Sequence, residues 1–232
     1  MRPGFVLSLG RVPYDRAWDL QKRLHRLRVA QRIPDTLILL EHDPVITLGR
    51  RGDPRHIQAA PEFLKKLGIS VFRVERGGDV TYHGPGQLVG YLIFQLNDSL
   101  SRVRHLILSI EEALIRVLAT YGVQAHTDPD YIGVFVGNDK IAALGVAVHQ
   151  RVSFHGFALN VNTNLEHFRL ILPCGIQDRG VTSLERLLGR PVDLQEVESR
   201  VIRAFEEVFQ LSLEPRRLED LPGLNPEKEE AR

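Results

Sequence analysis

The sequence predicts an α+β fold. Three observations carry this. Strand patterns come in neighbouring runs, with three in succession between Tyr131 and Val161. Helical patterns gather between those runs and do not alternate one for one with strands, as a βαβ chain would require. No internal repeat or low-complexity linker divides the chain.

The elements read in order as follows. Residues 5–9 (FVLSL) form a short strand, and Pro13 to Arg32 an amphipathic helix with Trp18, Leu20, Leu24 and Leu27 at near-helical spacing. Thr36 to Leu40 and Val45 to Leu48 are strands around a turn at His42-Asp43-Pro44. Glu62 to Leu67 is a short helix. Ile69 to Val74 and Leu88 to Leu96 are strands flanking a loop, Arg76 to Gln87 (RGGDVTYHGPGQ). Arg102 to Tyr121 is a helix that stops at Gly122. Tyr131 to Val136 and Lys140 to Val148 pair as a hairpin around Gly137-Asn138-Asp139, and Val152 to Val161 extends the meander. Thr182 with Glu185 matches a capping box ahead of LERLLG, and Asp193 with Glu196 opens a helix to about Phe209. After Glu214 the chain is rich in proline and charge and reads as a loosely ordered tail.

With 232 residues, 43% of them hydrophobic, the chain can bury a substantial core in one domain, 1–213, followed by the tail, 214–232. One cysteine allows no internal disulfide, so a reducing compartment is expected. The N-terminal apolar stretch is too short for a signal-peptide core, and no run reaches the roughly 20 apolar residues of a membrane span. A cytoplasmic protein is expected, without a membrane partner. Net charge is +1, which offers no global attraction to nucleic acid. Local basic clusters occur at Arg50, Arg51, Arg55 and His56, and at Arg102, Arg104 and His105; either is a solvated face or a dock for an acidic partner. Arginine outnumbers lysine 25 to 5, which singles out each lysine for inspection.

The Arg76–Gln87 stretch concentrates four glycines with Arg76, Tyr82 and His83. Glycines let backbone N–H groups approach a bound molecule. A merely structural loop is the alternative. Cys174, in LPCGI, sits between a proline that fixes the backbone and a glycine that leaves space. It is either a nucleophile or an inert small hydrophobe. A nucleophile needs the thiolate, and Lys140 could supply the stabilising charge. Read locally, Lys140 is more simply a solvated residue at a hairpin tip. Ala143-Leu144-Gly145 and Gly156-Phe157-Ala158 lie in adjacent strands, where small residues would seat an unbranched chain or merely allow close packing. There is no P-loop ending, no HExxH pair and no GxSxG elbow, so neither a metal nor a nucleotide cofactor is implied.

Taken together, RGGDVTYHGPGQLVGY, KIAALGV, HGFALNVNTNL and LPCGI, in this order from about Glu41 to Glu185, resemble the lipoyl/octanoyl transferase family, also called lipoate-protein ligase B. The resemblance implies the single-domain fold of biotin and lipoate protein ligases, a mixed sheet with helices around it. It implies transfer of an octanoyl group, or a lipoyl group, from acyl carrier protein to a lysine of lipoyl domains. Those acceptors are in 2-oxoacid dehydrogenases and in the glycine cleavage H protein. The family's acyl-thioester cysteine falls on Cys174 and its tuning lysine on Lys140. Its substrate segments fall on Arg76, Gly77, Gly78, Asp79, Val80, Thr81, Tyr82 and His83, on Ala143, Leu144 and Gly145, and on Gly156, Phe157 and Ala158. No cofactor is implied, because a carrier thioester is already activated. Two rival readings are an ATP-dependent lipoate ligase on the same fold and a non-catalytic acyl or carrier-protein binding module.

Overall fold

The computed structural model describes residues 1–96, 101–172 and 179–222. The elements are β1 (Arg2–Arg11), α1 (Tyr14–Val29), β2 (Asp35–Glu41), β3 (Val45–Leu48), α2 (Pro61–Lys66), β4 (Ser70–Arg73), β5 (Val80–His83), β6 (Gln87–Ile93), α3 (Ser101–Ala119), β7 (His126–Thr127), β8 (Val134–Val136), β9 (Asp139–His149), β10 (Val152–Asn160), β11 (Gly180–Val181), α4 (Leu184–Leu188), α5 (Leu194–Phe209) and β12 (Leu211–Pro215). The main sheet runs β12-β1-β2-β6-β10-β9-β8-β7, with β11 beside β9, and a second sheet runs β4-β3-β5. Pairing is mixed: β1 is parallel to β12 and β2, while β2, β6, β10, β9 and β8 follow one another antiparallel. The fold is therefore α+β with a mixed sheet.

The central strands are apolar at nearly every position because both faces are covered. In β2, Leu37 and Leu39 face one core while Ile38 and Leu40 face the other. The same period of two divides Leu88 and Leu92 from Val89, Tyr91 and Ile93 in β6. The first core is closed by α3 and α5; the buried stripe of α5, Val197, Val201, Ala204 and Phe205, has helical spacing. The second is closed by α1 through Ala17 and Leu24. At the head of β2, buried Asp35 accepts from Gln95 N at 2.8 Å and from Arg28 Nε at 2.9 Å.

Three expectations change. The Arg76–Gln87 stretch is not one loop, since Val80–His83 form β5 antiparallel to β3. β2 and β3 do flank the turn at His42-Asp43-Pro44, and β3 enters the second sheet. Helix α4 is capped by Ser183, whose Oγ accepts from Arg186 N at 3.2 Å, and not by Thr182, whose backbone N–H is engaged by Lys140 O at 3.0 Å. Glu214 and Pro215 continue β12 against Phe5 and Val6, on an edge strand where proline removes no ladder bond the sheet needs. The hairpin and meander follow the sequence reading, with Gly137 in the left-handed region at φ 57°. Among the described residues no helix is long and apolar enough to cross a membrane.

Candidate active site

A cavity of about 820 Å³ lies over the face of β9 and β10. Its wall on that side is a ladder in which Ala143 faces Ala158, Leu144 faces Phe157 and Gly145 faces Gly156. The glycines meet packing demands as well as opening space. A Cβ on Gly145 would stand 2.9 Å from Gly77 O, and one on Gly156 would stand 2.2 Å from Gly90 O. Close packing therefore accounts for both glycines, and both also line the cavity.

The segment 76–79 folds over this ladder. Gly77 N donates to Val146 O at 3.0 Å, and Gly78 takes φ 86°, a conformation that favours glycine. Arg76 is buried, and its guanidinium is held by neutral groups: Nη2 donates to Thr47 O at 2.6 Å and Nη1 to Gly77 O at 3.0 Å. Arg76, Gly77, Gly78, Asp79, Val80, Thr81 and His83 all line the cavity, as do Ala143, Leu144, Gly145, Gly156, Phe157 and Ala158. Tyr82 does not. Strand alternation turns its ring into the second sheet's core, where its hydroxyl is 2.7 Å from His167 Nδ1 and its ring lies edge-on to Phe168.

Lys140 also lines the cavity and is half-buried. Its Nζ donates to Ile132 O at 3.1 Å and stands 5.2 Å from the centre of the Phe135 ring. Gly133, at φ 143°, makes room for it: a Cβ there would lie 3.0 Å from Lys140 Cε and 2.8 Å from Ala142 O. Cys174 lies outside the described residues. Leu172 N donates to His56 O at 2.7 Å, and Val181 of β11 pairs with Lys140.

The sequence reading missed an aromatic and imidazole cluster drawn from distant elements. His42 Nδ1 is 2.8 Å from Val12 O, which can only accept, so Nδ1 carries the proton and Nε2 accepts from the Tyr91 hydroxyl at 2.6 Å. Burial pushes His42 down to about 4. Gln87 Nε2 donates to Asn160 Oδ1 at 2.9 Å, so its Oε1 accepts from His83 Nδ1 at 2.8 Å, which leaves the His83 Nε2 lone pair available. Burial holds His83 well below the usual imidazole range, and also pulls His155 down. Tyr14 stacks on His83, and burial raises its phenol and that of Tyr91. His155, in the left-handed region at φ 59°, faces Glu75 Oε2 with its Nε2 at 3.6 Å, a long N–H···O contact. That imidazole, helped by Trp18 Nε1 at 3.0 Å, holds Glu75 at about 2. Of the basic cluster, Arg50 and Arg51 line the cavity, Arg55 pairs with Asp53, and His56 bonds Asp79. Arg104 and His105 stand exposed on α3.

Residues 13–206 match the lipoyl protein ligase A/B catalytic domain. The chain belongs to this family. An octanoyltransferase of Caldicellulosiruptor bescii is 54% identical over 90% of this chain and 92% of its own. One from Dictyoglomus thermophilum is 49% identical over 86% and 84%. A crystal structure of lipoate-protein ligase A bound with ATP superposes with a TM-score of 0.78 at 20% identity, covering 97% of this chain and 93% of that one. A bipartite lipoate protein ligase from Thermoplasma acidophilum gives 0.77 at 19%, covering 98% and 92%. These two likenesses establish the shared fold. The mixed sheet described above is the fold they share.

Proposed function

We propose that this chain is an octanoyltransferase of protein lipoylation, working through an acyl-thioester on Cys174. The supporting observation is the placement of Lys140 at a cavity walled by Ala143–Gly145 and Gly156–Ala158. An ammonium there favours the thiolate of a nearby cysteine by direct charge attraction. The thiolate attacks the carbonyl carbon of octanoyl-acyl carrier protein; a C–S bond forms, another breaks, and the carrier leaves as a thiol after taking a proton from Lys140. An acceptor lysine amine on a lipoyl domain then attacks the acyl-enzyme. A C–N bond forms, the C–S bond breaks, and the amine proton passes to Lys140 or solvent. Splitting the reaction in two means the carriers need not occupy the site together. The apolar wall contributes on the order of 5 kcal/mol of chain binding, at about 0.8 kcal/mol per methylene. The acceptors are the lipoyl domains of 2-oxoacid dehydrogenases and the glycine cleavage H protein, and the reaction runs in the cytoplasm with no cofactor.

The test is intact mass after mixing with octanoyl carrier protein and no acceptor. A gain of one octanoyl group, absent in Cys174→Ala, is expected. A Cys174→Ala protein that still transfers at the wild-type rate overturns the thioester role of Cys174, and a wild-type protein that binds the octanoyl carrier but neither gains nor transfers the acyl group restores the binding-module alternative. The likeness to an ATP-bound ligase raises a second reading, ATP-dependent ligation. Undiminished transfer without ATP excludes it.

A further inference from the structure

Glu111, on α3, is buried at 4% exposure and had no place in the sequence reading. Its Oε1 accepts from Gly133 N at 2.9 Å. The other end of that same peptide group, Ile132 O, accepts from Lys140 Nζ at 3.1 Å. The N–H and C=O belong to one planar unit, so a negative charge at the N–H end strengthens the carbonyl dipole facing the ammonium. Gly133 permits the arrangement, because a side chain there would strike both Lys140 Cε and Ala142 O.

We propose that Glu111 is a positioning residue which, through the Ile132–Gly133 peptide, fixes the Lys140 ammonium and holds it in its charged form. The inference rests on the role given above to Lys140. Burial raises the Glu111 carboxyl, while the Gly133 N–H and the Lys140 charge oppose that rise. The other groups near Lys140 come from every packed element. Asp130 and Tyr131 precede β8, Asp139 adjoins it on β9, and His126 of β7 lies edge-on to Phe135. Arg179, before β11, stands 5.9 Å from the centre of that ring and is paired with Asp128. Among the described residues, Glu111 is joined to Lys140 through a single peptide.

The sign follows directly. A carboxylate nearby stabilises the ammonium and raises its pKa, so neutralising it lowers that pKa. Glu111→Gln keeps an acceptor for Gly133 N–H and removes only the charge. The Lys140 pKa is read by competitive amine labelling across a pH series, with the Lys140 peptide followed by mass spectrometry; only five lysines compete. The expected result is a fall of roughly 0.5 to 1 pH unit, the scale of a nearby charge at the effective dielectric of a protein site. The alkaline limb of the acylation rate should move down by the same amount, with KM for octanoyl carrier protein unchanged. Glu111→Asp, which keeps the charge, should restore most of the shift. An unaltered Lys140 pKa in Glu111→Gln, or a fall in Glu111→Asp equal to that in Glu111→Gln, overturns the proposal and leaves Glu111 as a brace for the turn. A Lys140→Ala protein that acylates normally would instead overturn the function on which it rests.

Discussion

His42 makes stability depend on pH in a way that can be worked out in advance. The group titrates at about 4 in the fold and at 6.5 when free. Between those values the unfolded chain binds a proton that the native state refuses, so stability falls as pH drops. The loss is nil above pH 7, about 2 kcal/mol near pH 5 and about 3 kcal/mol near pH 4, at 1.36 kcal/mol per unit. His83 and His155, also held below the free value, act with the same sign and deepen the loss. The perturbation is His42→Gln, which does not titrate. Its amide can donate to Val12 O and accept from the Tyr91 hydroxyl, as the imidazole does. Urea unfolding at pH 7, 5 and 4 measures both proteins. The wild type should lose about 3 kcal/mol more than the variant between pH 7 and pH 4. Equal losses in the two would refute the assignment of a buried, neutral His42.

Lys140→Ala should slow acylation and raise the apparent thiol pKa of Cys174, read by the pH dependence of alkylation; an unchanged profile counts against the assigned role. Gly145→Ala forces a Cβ to within 2.9 Å of Gly77 O, so it should loosen the 76–78 segment, cost about 1–3 kcal/mol by overpacking and lower kcat/KM. Tyr82→Phe should cost about 1 kcal/mol of stability by losing the hydroxyl's contact with His167, yet leave KM for the acyl donor unaltered. A large rise in KM there would put Tyr82 back at the cavity. Ser183→Ala should destabilise the α4 cap by about 1 kcal/mol, measured by thermal unfolding.

What the sequence disclosed depended on how far a residue's neighbours lie along the chain. The ladder of Ala143–Gly145 against Gly156–Ala158 was readable because β9 and β10 are consecutive and their turn sets the register. The direction of the Tyr82 ring was hidden because the glycines around it read as one loop, which concealed the alternation of β5. Tyr14 of α1, His42 of the turn between β2 and β3 and Tyr91 of β6 lie far apart along the chain, and no local spacing marks their meeting. Glu111 looked like an ordinary polar residue on an amphipathic helix. Only the fold over it of the turn at Gly133 gives the carboxylate a partner.

Strand β2 is oily above and below, so nothing in its outward and inward residues says where along its neighbours it should stop sliding. A shift by one position would exchange leucine for isoleucine and be almost silent in either layer. The carboxylate of Asp35 removes that freedom, because only one alignment brings it to both the Gln95 amide and the Arg28 guanidinium. A single charge at a strand's beginning thus helps set the alignment of a sheet whose far members wall the cavity.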